Sequence, residues 1–508
     1  MTDISQRRGL TFATLIALIA LATLAAALTG CTVGPDFVRP RPPPGGYENA
    51  APAPSATRIL NPGAGVADDW YQLFHSPALD QLVRRALAAN PDLESARHGL
   101  LAAQFELKAV AGTELPQVDL TGGAGRSHLN GSYFYGPVDA INVTGNRFAL
   151  GPELAYNLDP FGGLRRQVES QRAATAVVRA QVLNTYVTLV DQVVITAFDY
   201  AATGAQIEVT EALVQEYQSQ YELTRTLENA GKITRSDTLL AQTQLENLRA
   251  TLPSLEQQRE VYRNALAQLC GQTPDDFRVP PLSLRDFALP AQLPLSLPAA
   301  LVEQRPDVLA AEATLHQASA TIGVAEAARL PGLSITAQYA QQTSQLSDFL
   351  THAGGVWSLG LNASAPLFHG GTLAARQHEA EERYRQSAAT YRSTVIAAFV
   401  DVANALQALQ HDAENYAAHS QALAAARASL DLTLEQYRAG KYTELQVLTA
   451  QQQYEQAALT EVQADAQRFT DTATLFRALG GGWWNAPQDP AALAAAVSPK
   501  QTSGEQHE

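Results

Sequence analysis

The chain has 508 residues and a formal net charge of −15 at pH 7, with 35 lysines and arginines against 50 aspartates and glutamates. This acidity argues against a nucleic-acid partner, because nucleic-acid binding needs a basic surface. Hydrophobic residues make up 46% of the chain and charged residues only 17%, a balance that suits long packed helices and argues against a disordered chain.

Residues 1–30 have the organisation of a secretory signal peptide. Two arginines precede an apolar run over residues 10–28, as in the basic and hydrophobic regions of such signals. The run ends in a tetrapeptide that resembles the lipobox of bacterial lipoproteins, Leu28-Thr29-Gly30-Cys31. We therefore expect the leader to be removed and Cys31 to carry the lipid anchor; an uncleaved transmembrane helix is the alternative. Thr32, in place of an aspartate, favours sorting to the outer membrane.

Residues 31–69 are predicted to form an extended tether between the lipid and the body of the protein, because proline, alanine and glycine are dense there. The chain has two cysteines in all. Once Cys31 is acylated only Cys270 remains, so no intrachain disulfide can form and stability must come from packing.

From residue 70 onward the chain contains the same unit twice. The same number of residues separates Pro91 from Pro116 and Pro306 from Pro331, and an amphipathic segment fills each interval. Other matches recur about 210 residues apart: Leu100 with Leu315, Leu107 with Ile322, and Ala230-Gly231-Lys232 with Ala439-Gly440-Lys441. The predicted divisions are 70–285 for the first repeat, 286–480 for the second, and 481–508 for a C-terminal tail that we expect to be partly disordered.

Each repeat holds two runs in which apolar and polar residues alternate, the pattern of strands with one apolar face. Trp357, Leu359 and Leu361, for example, alternate with Ser358 and Asn362. At about 10 to 13 residues, each strand is long enough to cross a bilayer at a tilt; a hairpin of a soluble β-sandwich is the alternative. The four predicted strands cover about 118–128, 146–158, 333–342 and 356–367.

A very long helical run follows the strands in each repeat, over 164–229 and 372–438. Some 67 residues make roughly 100 Å of helix. A return helix of about 40 residues follows each turn, and the turns are placed at 231–232 and 440–441, where glycine ends a helix at little cost. Leucines at a three-and-four spacing in the first return helix predict a coiled-coil seam, with an ordinary amphipathic helix as the alternative. Pro253 predicts a local kink there.

Four membrane strands cannot close on themselves, and an open sheet edge in lipid leaves backbone groups unpaired at several kcal/mol each. Membrane barrels need at least about eight strands, so two, three or four copies of the chain must pool their strands. The helical hairpins would then prolong the pore as a second cylinder. The sequence therefore predicts an α+β membrane protein that forms an oligomeric duct.

Four further motifs accompany the lipobox and the duplicated unit: Val33-Gly34-Pro35-Asp36, Trp70-Tyr71-Gln72-Leu73-Phe74, Asn90-Pro91-Asp92 and Gly480-Gly481-Gly482-Trp483-Trp484. In this combination the chain resembles the outer membrane factors of tripartite efflux systems, the TolC-like family, and within it the NodT/OprM-like lipoprotein branch. The resemblance implies a homotrimer with a twelve-stranded outer-membrane barrel and a periplasmic helical barrel. It also implies two partners, a periplasmic adaptor and an inner-membrane pump, usually of the resistance–nodulation–division type.

The same resemblance implies roles for residues at the helical turns. The turns, Gly231-Lys232 and Gly440-Lys441, match the family's contact with the adaptor; plain helix caps are the alternative. A periplasmic gate would include Asp237, which otherwise is a helix N-terminal charge, and Tyr437. After the second turn the family's carboxylate positions hold Gln446 and Thr449, so the carboxylate pair is absent.

No enzymatic motif stands out. The sequence has no HExxH or GxSxG motif and no clustered cysteine and histidine, so neither a reaction nor a cofactor is expected. Two other functions stay open at this point: a conduit for type I protein secretion, and a non-conducting coiled-coil lipoprotein that spaces the outer membrane from the cell wall. The preferred function is the exit duct of an efflux pump for small toxic compounds.

Overall fold

A computed structural model describes residues 32–41, 46–47, 59–130, 142–296, 298–348 and 354–485. The predicted lipobox, Leu28 to Cys31, lies outside the described residues, as does the tail beyond residue 485. The chain divides into two units, and each draws on both repeats. The first unit comprises Met1–Pro40, Ala102–Val177 and Glu312–Thr390; the second comprises Arg41–Leu101, Val178–Ala311 and Tyr391–Glu508.

The helices and strands follow one another along the chain in two matching series. The first series is β1 (Ile59–Pro62), α1 (Pro77–Ala89), α2 (Pro91–Gly112), β2 (Gln117–Asn130), β3 (Asn142–Leu158), α3 (Gly163–Asn229) and α4 (Arg235–Leu269). The second is β4 (Gln292–Leu295), α5 (Pro298–Gln304), α6 (Pro306–Ala327), β5 (Gly332–Thr343), β6 (Gly355–Ser364), α7 (Thr372–Arg438) and α8 (Glu444–Ala478).

The duplication extends to the lengths of the helices. Helices α2 and α6 have 22 residues each, α3 and α7 have 67 each, and α4 and α8 have 35 each. Helix α4 runs through Pro253, which has no backbone N–H, so one hydrogen bond of the helix is missing there. No helix within the described ranges is long and apolar enough to span a bilayer.

Strands β2, β3, β5 and β6 form one antiparallel sheet in that order. The register places apolar residues in common rows, such as Val118, Leu154, Ala337 and Leu359, and polar residues such as Asp119, Glu153, Gln338 and Ser358 in the rows between. Trp357 and Leu359 are 75% and 71% exposed. One face of the sheet is therefore apolar and uncovered in a single chain, as lipid requires.

Several predicted boundaries differ from the structure; the strand expected from residue 146, for example, begins at Asn142. The strand expected over 356–367 ends at Ser364, because Pro366 cannot donate to a ladder. The segment expected to be an extended tether contains β1, which pairs in parallel with β4. Its neighbour Val66 is fully buried, so packing against a distant part of the chain holds this segment.

Aromatic side chains from distant segments form the core of the second unit. Trp70 stacks on Phe476 with ring centroids 4.9 Å apart, and Phe74 meets Phe198 edge to face at 4.9 Å. Residues 481–485 close this unit: Trp483 donates from Nε1 to the Gln304 carbonyl at 2.7 Å. The first part of the predicted tail is therefore packed.

Candidate functional site

The two turns that end the long helices have the same backbone conformation. Gly231 and Gly440 have φ of +66° and +71°, values that cost an L side chain about 1–2 kcal/mol. Each glycine lies in a Schellman motif. The Lys232 N–H donates to the Leu227 carbonyl at 2.9 Å, and the Lys441 N–H donates to the Gln436 carbonyl at 2.9 Å.

Backbone conformation alone demands glycine at these turns. A Cβ on Gly231 or Gly440 would meet no atom within 4 Å, so neither turn is packed against the described residues. Lys232 and Lys441 are exposed beside them. The four residues predicted to contact the adaptor thus form two open, matching, positively charged turns.

The return helices begin with matching capping boxes. In α4, the Asp237 carboxylate accepts a bond from the Thr234 N–H at 3.0 Å. In α8, the Gln446 side-chain oxygen accepts from the Thr443 N–H at 2.7 Å. Asp237 and Gln446 occupy equivalent third positions, so both satisfy a free N–H at a helix start.

A buried polar cluster lies next to the second turn. Glu444, the first residue of α8, is only 2% exposed. The Gln220 amide of α3 donates to both of its carboxylate oxygens, at 3.0 and 3.3 Å. Tyr437, from the end of α7, is also buried. Three helices from both repeats therefore meet at this carboxylate, which together with Gln220 and Tyr437 we name the tip cluster.

The cluster shifts the acidity of its members. Burial raises the pKa of the Glu444 carboxyl, and the negative charge of Asp237 adds to the shift, while the nearby Tyr437 hydroxyl and the hydrogen bonds from Gln220 oppose it. Burial and the Glu444 carboxylate raise the pKa of Tyr437. Asp237 is therefore close enough to act on both groups, whereas Gln446 and Thr449 are exposed and stand apart from the tip cluster.

Further polar contacts continue the seam between the two hairpins. Glu216 of α3 pairs with Arg427 of α7 at 2.7 Å. The next residue, Tyr217, donates to Glu455 of α8 at 3.0 Å. Leu213 and Tyr217 also pack against Leu245 and Leu248 of α4, all of them buried. The predicted coiled-coil seam is thus apolar between α3 and α4, and toward the second hairpin these apolar contacts, which reach Tyr454 of α8, are joined by polar ones.

Sequence reasoning missed Glu444 and Gln220. Glu444 follows the N-cap Thr443, where an acid normally serves as a solvated charge beside the helix N-terminus. The matching position in the first repeat holds Arg235, which is exposed. That break in the duplication is the one signal in the sequence that could have drawn attention to Glu444.

The residues that directly follow the predicted lipid anchor are fastened to the first unit; we name residues 32–39 the N-terminal strap. The Val33 N–H donates to the Phe161 carbonyl at 3.0 Å. The buried Arg166 donates to the Val33 carbonyl at 3.0 Å and to the Asp36 carboxylate at 2.7 Å. Phe37 stacks on His316 with ring centroids 4.2 Å apart. The strap therefore starts where β3 passes into α3.

A pair of glycines, Gly34 of the strap and Gly323 of α6, lets the strap lie close to that helix. Gly34 has φ of +87°, and a Cβ there would overlap the backbone of Gly323.

In the described part of the chain, no group of histidine, cysteine, aspartate or glutamate side chains is arranged to hold a metal ion.

A sequence model of the family described as outer membrane efflux protein matches residues 82–272 and 297–481. The toluene efflux pump outer membrane protein TtgC of Pseudomonas putida is 28% identical over 483 residues, which span 95% of this chain and 99% of that protein. The cation efflux system protein CusC of Escherichia coli K12 is 28% identical over 473 residues, spanning 90% and 98%. The solved outer-membrane channel OprN is 28% identical, with a TM-score of 0.80 over 89% of this chain and all of that chain.

These likenesses confirm the predicted fold class, in which three copies each give four strands to one membrane β-barrel and their long helices form a helical barrel. They also confirm placement in the outer membrane with a periplasmic extension. They favour efflux over protein secretion or a non-conducting spacer. The chain is a member of the outer membrane efflux protein family and forms the outer-membrane exit duct of an efflux pump.

Proposed function

We propose that this duct passively conducts small toxic compounds that a periplasmic adaptor and an inner-membrane pump of the resistance–nodulation–division type deliver to it. The observation that supports this most directly is the pair of matching open turns, Gly231-Lys232 and Gly440-Lys441, which are free for a partner in a single chain. We assign the protein no reaction and no cofactor, since its family consists of transport channels. Deleting the gene should sensitise the cell to some members of a broad toxicity panel; unchanged sensitivity to all would contradict the proposal.

The periplasmic gate, in this proposal, is held by the tip cluster, with Asp237 acting on it through its charge. Opening requires the second hairpin to part from the first, and the bonds between Gln220 and Glu444 cross that seam. Gln446 and Thr449 were included in the predicted gate, but in a single chain they are exposed. If Gln446 and Thr449 contribute to the gate, they do so by contacting another copy of the chain across the channel.

Replacing Gln220 by leucine tests the gate. The Q220L variant leaves a buried carboxylate without its donor, at a cost of about 1–3 kcal/mol. If the contact exists only when the duct is closed, the open population should rise about 5- to 150-fold, because each 1.4 kcal/mol is a factor of ten. Single-channel recording of the purified trimer in planar bilayers measures this.

Gln215→Leu is the matched control, because Gln215 lies on the same helix but is exposed. If the open probability of Q220L is no higher than that of Q215L, the tip cluster does not hold the gate closed. Conductance in both variants with no difference between them would leave the duct intact and reject only the gate.

Cys31 is proposed as the lipid anchor. The support comes from the next residues: Thr32 lies against Gly162, and Val33 bonds to Phe161 at the end of a membrane strand. An acyl chain on the preceding residue would therefore start at the edge of the bilayer. Mass spectrometry of the mature chain should show removal of residues 1–30 and a mass increase for acylation, both absent in Cys31→Ser.

A further inference from the structure

Two adjacent apolar side chains, Leu367 and Phe368, are more exposed than any other large apolar side chain among the described residues, at 95% and 88%. They lie in the turn between β6 and α7, within the first unit. A soluble surface rarely leaves two such neighbours open without a partner.

The matching turn of the first repeat is covered. There Phe161 is half-buried, and its carbonyl accepts the Val33 N–H of the N-terminal strap. In the second repeat, a Cβ on Gly370 or Gly371 would meet nothing within 4 Å. The strap exists once in the chain, so it can cover only one of the two turns.

Leu367 lies three residues beyond the end of β6, a strand with an apolar, exposed face. On that face Leu359 and Leu361 lie opposite Ala337 and Ile335 of β5. The C-terminal ends of strands β3 and β6 lie level with each other in the sheet, since Leu158 pairs with Leu333 and Leu333 pairs with Ala363. Both turns therefore leave the sheet at one level.

A cation follows the exposed pair. Arg376, in the first turns of α7, is exposed and would suit the phosphate groups of lipid at the bilayer surface. An apolar pair followed by a cation is the arrangement that an interfacial membrane contact needs.

The geometry points to Leu367 and Phe368 as a second, non-covalent membrane anchor, inserted among the acyl chains of the inner leaflet of the outer membrane. In each protomer the first repeat would hold the membrane through the lipid on Cys31, and the second repeat through this pair. The inference rests on the proposed anchor at Cys31 for the comparison between repeats. Lipid is chosen over a second copy of the chain because the pair directly follows a strand whose apolar, exposed face is already given to lipid.

Spin labels test the depth of the pair. Cysteine replaces Phe368 in the full-length acylated protein carrying Cys270→Ala, and the trimer is reconstituted in phosphatidylethanolamine–phosphatidylglycerol vesicles. Oxygen partitions into the acyl chains and a nickel chelate stays in water. We expect the label at position 368 to collide more with oxygen than with nickel, and the order to be reversed at the control Leu445→Cys, which is exposed near the second turn.

Two outcomes would overturn the inference. A label at position 368 as open to nickel as the Leu445 control would place the pair in water. A label shielded from both reagents would mean that another protomer covers it. Channel recording on the same vesicles separates these results from the proposed function, because a conducting trimer with a water-exposed Phe368 rejects the anchor alone.

Discussion

Replacing Asp191 by asparagine should stabilise the protein, and more so at higher pH. Asp191 lies on α3 with its side chain 8% exposed, and one carboxylate oxygen is 3.2 Å from Arg477 of α8. The other oxygen has no hydrogen-bond partner among the described residues. Burial raises the pKa of Asp191 from 3.8 to about 6, and the nearby Arg477 offsets only part of this. Burial therefore outweighs the ion pair.

The size of the effect follows from linkage. Because the pKa of Asp191 is higher in the folded state than in the unfolded state, its neutral acid form, which prevails below about pH 4, costs the folded protein little. As the pH rises through 6 the buried side chain becomes charged, and the free energy of unfolding falls. A shift of about two pKa units corresponds to roughly 3 kcal/mol, most of which is lost between pH 4 and pH 8. Asp191→Asn keeps the shape and removes the charge, so its advantage over the wild type should grow by about 2.5 kcal/mol across that range.

Thermal unfolding of the detergent-solubilised trimer at pH 4 and pH 8 measures the difference. Asp275→Asn is the control, because Asp275 is exposed and its replacement should change little at either pH. Arg477→Met should destabilise the protein at pH 8 by removing the only counter-charge of Asp191 in the described contacts. If D191N instead lowered the midpoint at pH 8 more than at pH 4, the ion pair would outweigh burial and the reasoning would be wrong.

Glycine substitutions give two further predictions. Gly231→Ala and Gly440→Ala should each destabilise the trimer by about 1–2 kcal/mol, because both positions have a left-handed backbone. Gly99→Ala, at a helical position with open space around it, should instead stabilise the trimer by about 0.5–1 kcal/mol. Equal shifts of the melting temperature in all three variants would contradict this prediction. Gly34→Ala should free the N-terminal strap by pressing on Gly323, and limited proteolysis should then cut residues 32–39 faster than in the wild type.

The repeat, the helices and the strands could be predicted from the sequence because their signals are local. Glycine, proline and capping residues mark helix ends within a few positions, so the long helix predicted over 372–438 matches α7. Alternation over neighbouring residues revealed the membrane strands. The count of four strands then required other copies of the chain, since β2 and β6 each pair with one strand in the described sheet.

The candidate site was less accessible from the sequence. Asp237 and Tyr437 were found by resemblance, and Asp237 is used first in a capping box. Glu444 was missed because a first-turn acid is usually solvated, and only contact with Gln220 from the other repeat makes it buried. The uncovered state of Leu367 likewise follows from the single strap, which packs on one repeat.

The sequence by itself determined the elements, their duplication and the need for partner strands, because these depend on residues close together in the chain. The tertiary structure decided which equivalent positions differ: Glu444 is buried where Arg235 is exposed, and Phe161 is covered where Phe368 is open. The physical reason is that burial is set by what a distant segment brings to each position. Two copies of one unit, alike along the chain, therefore acquire different surroundings once folded.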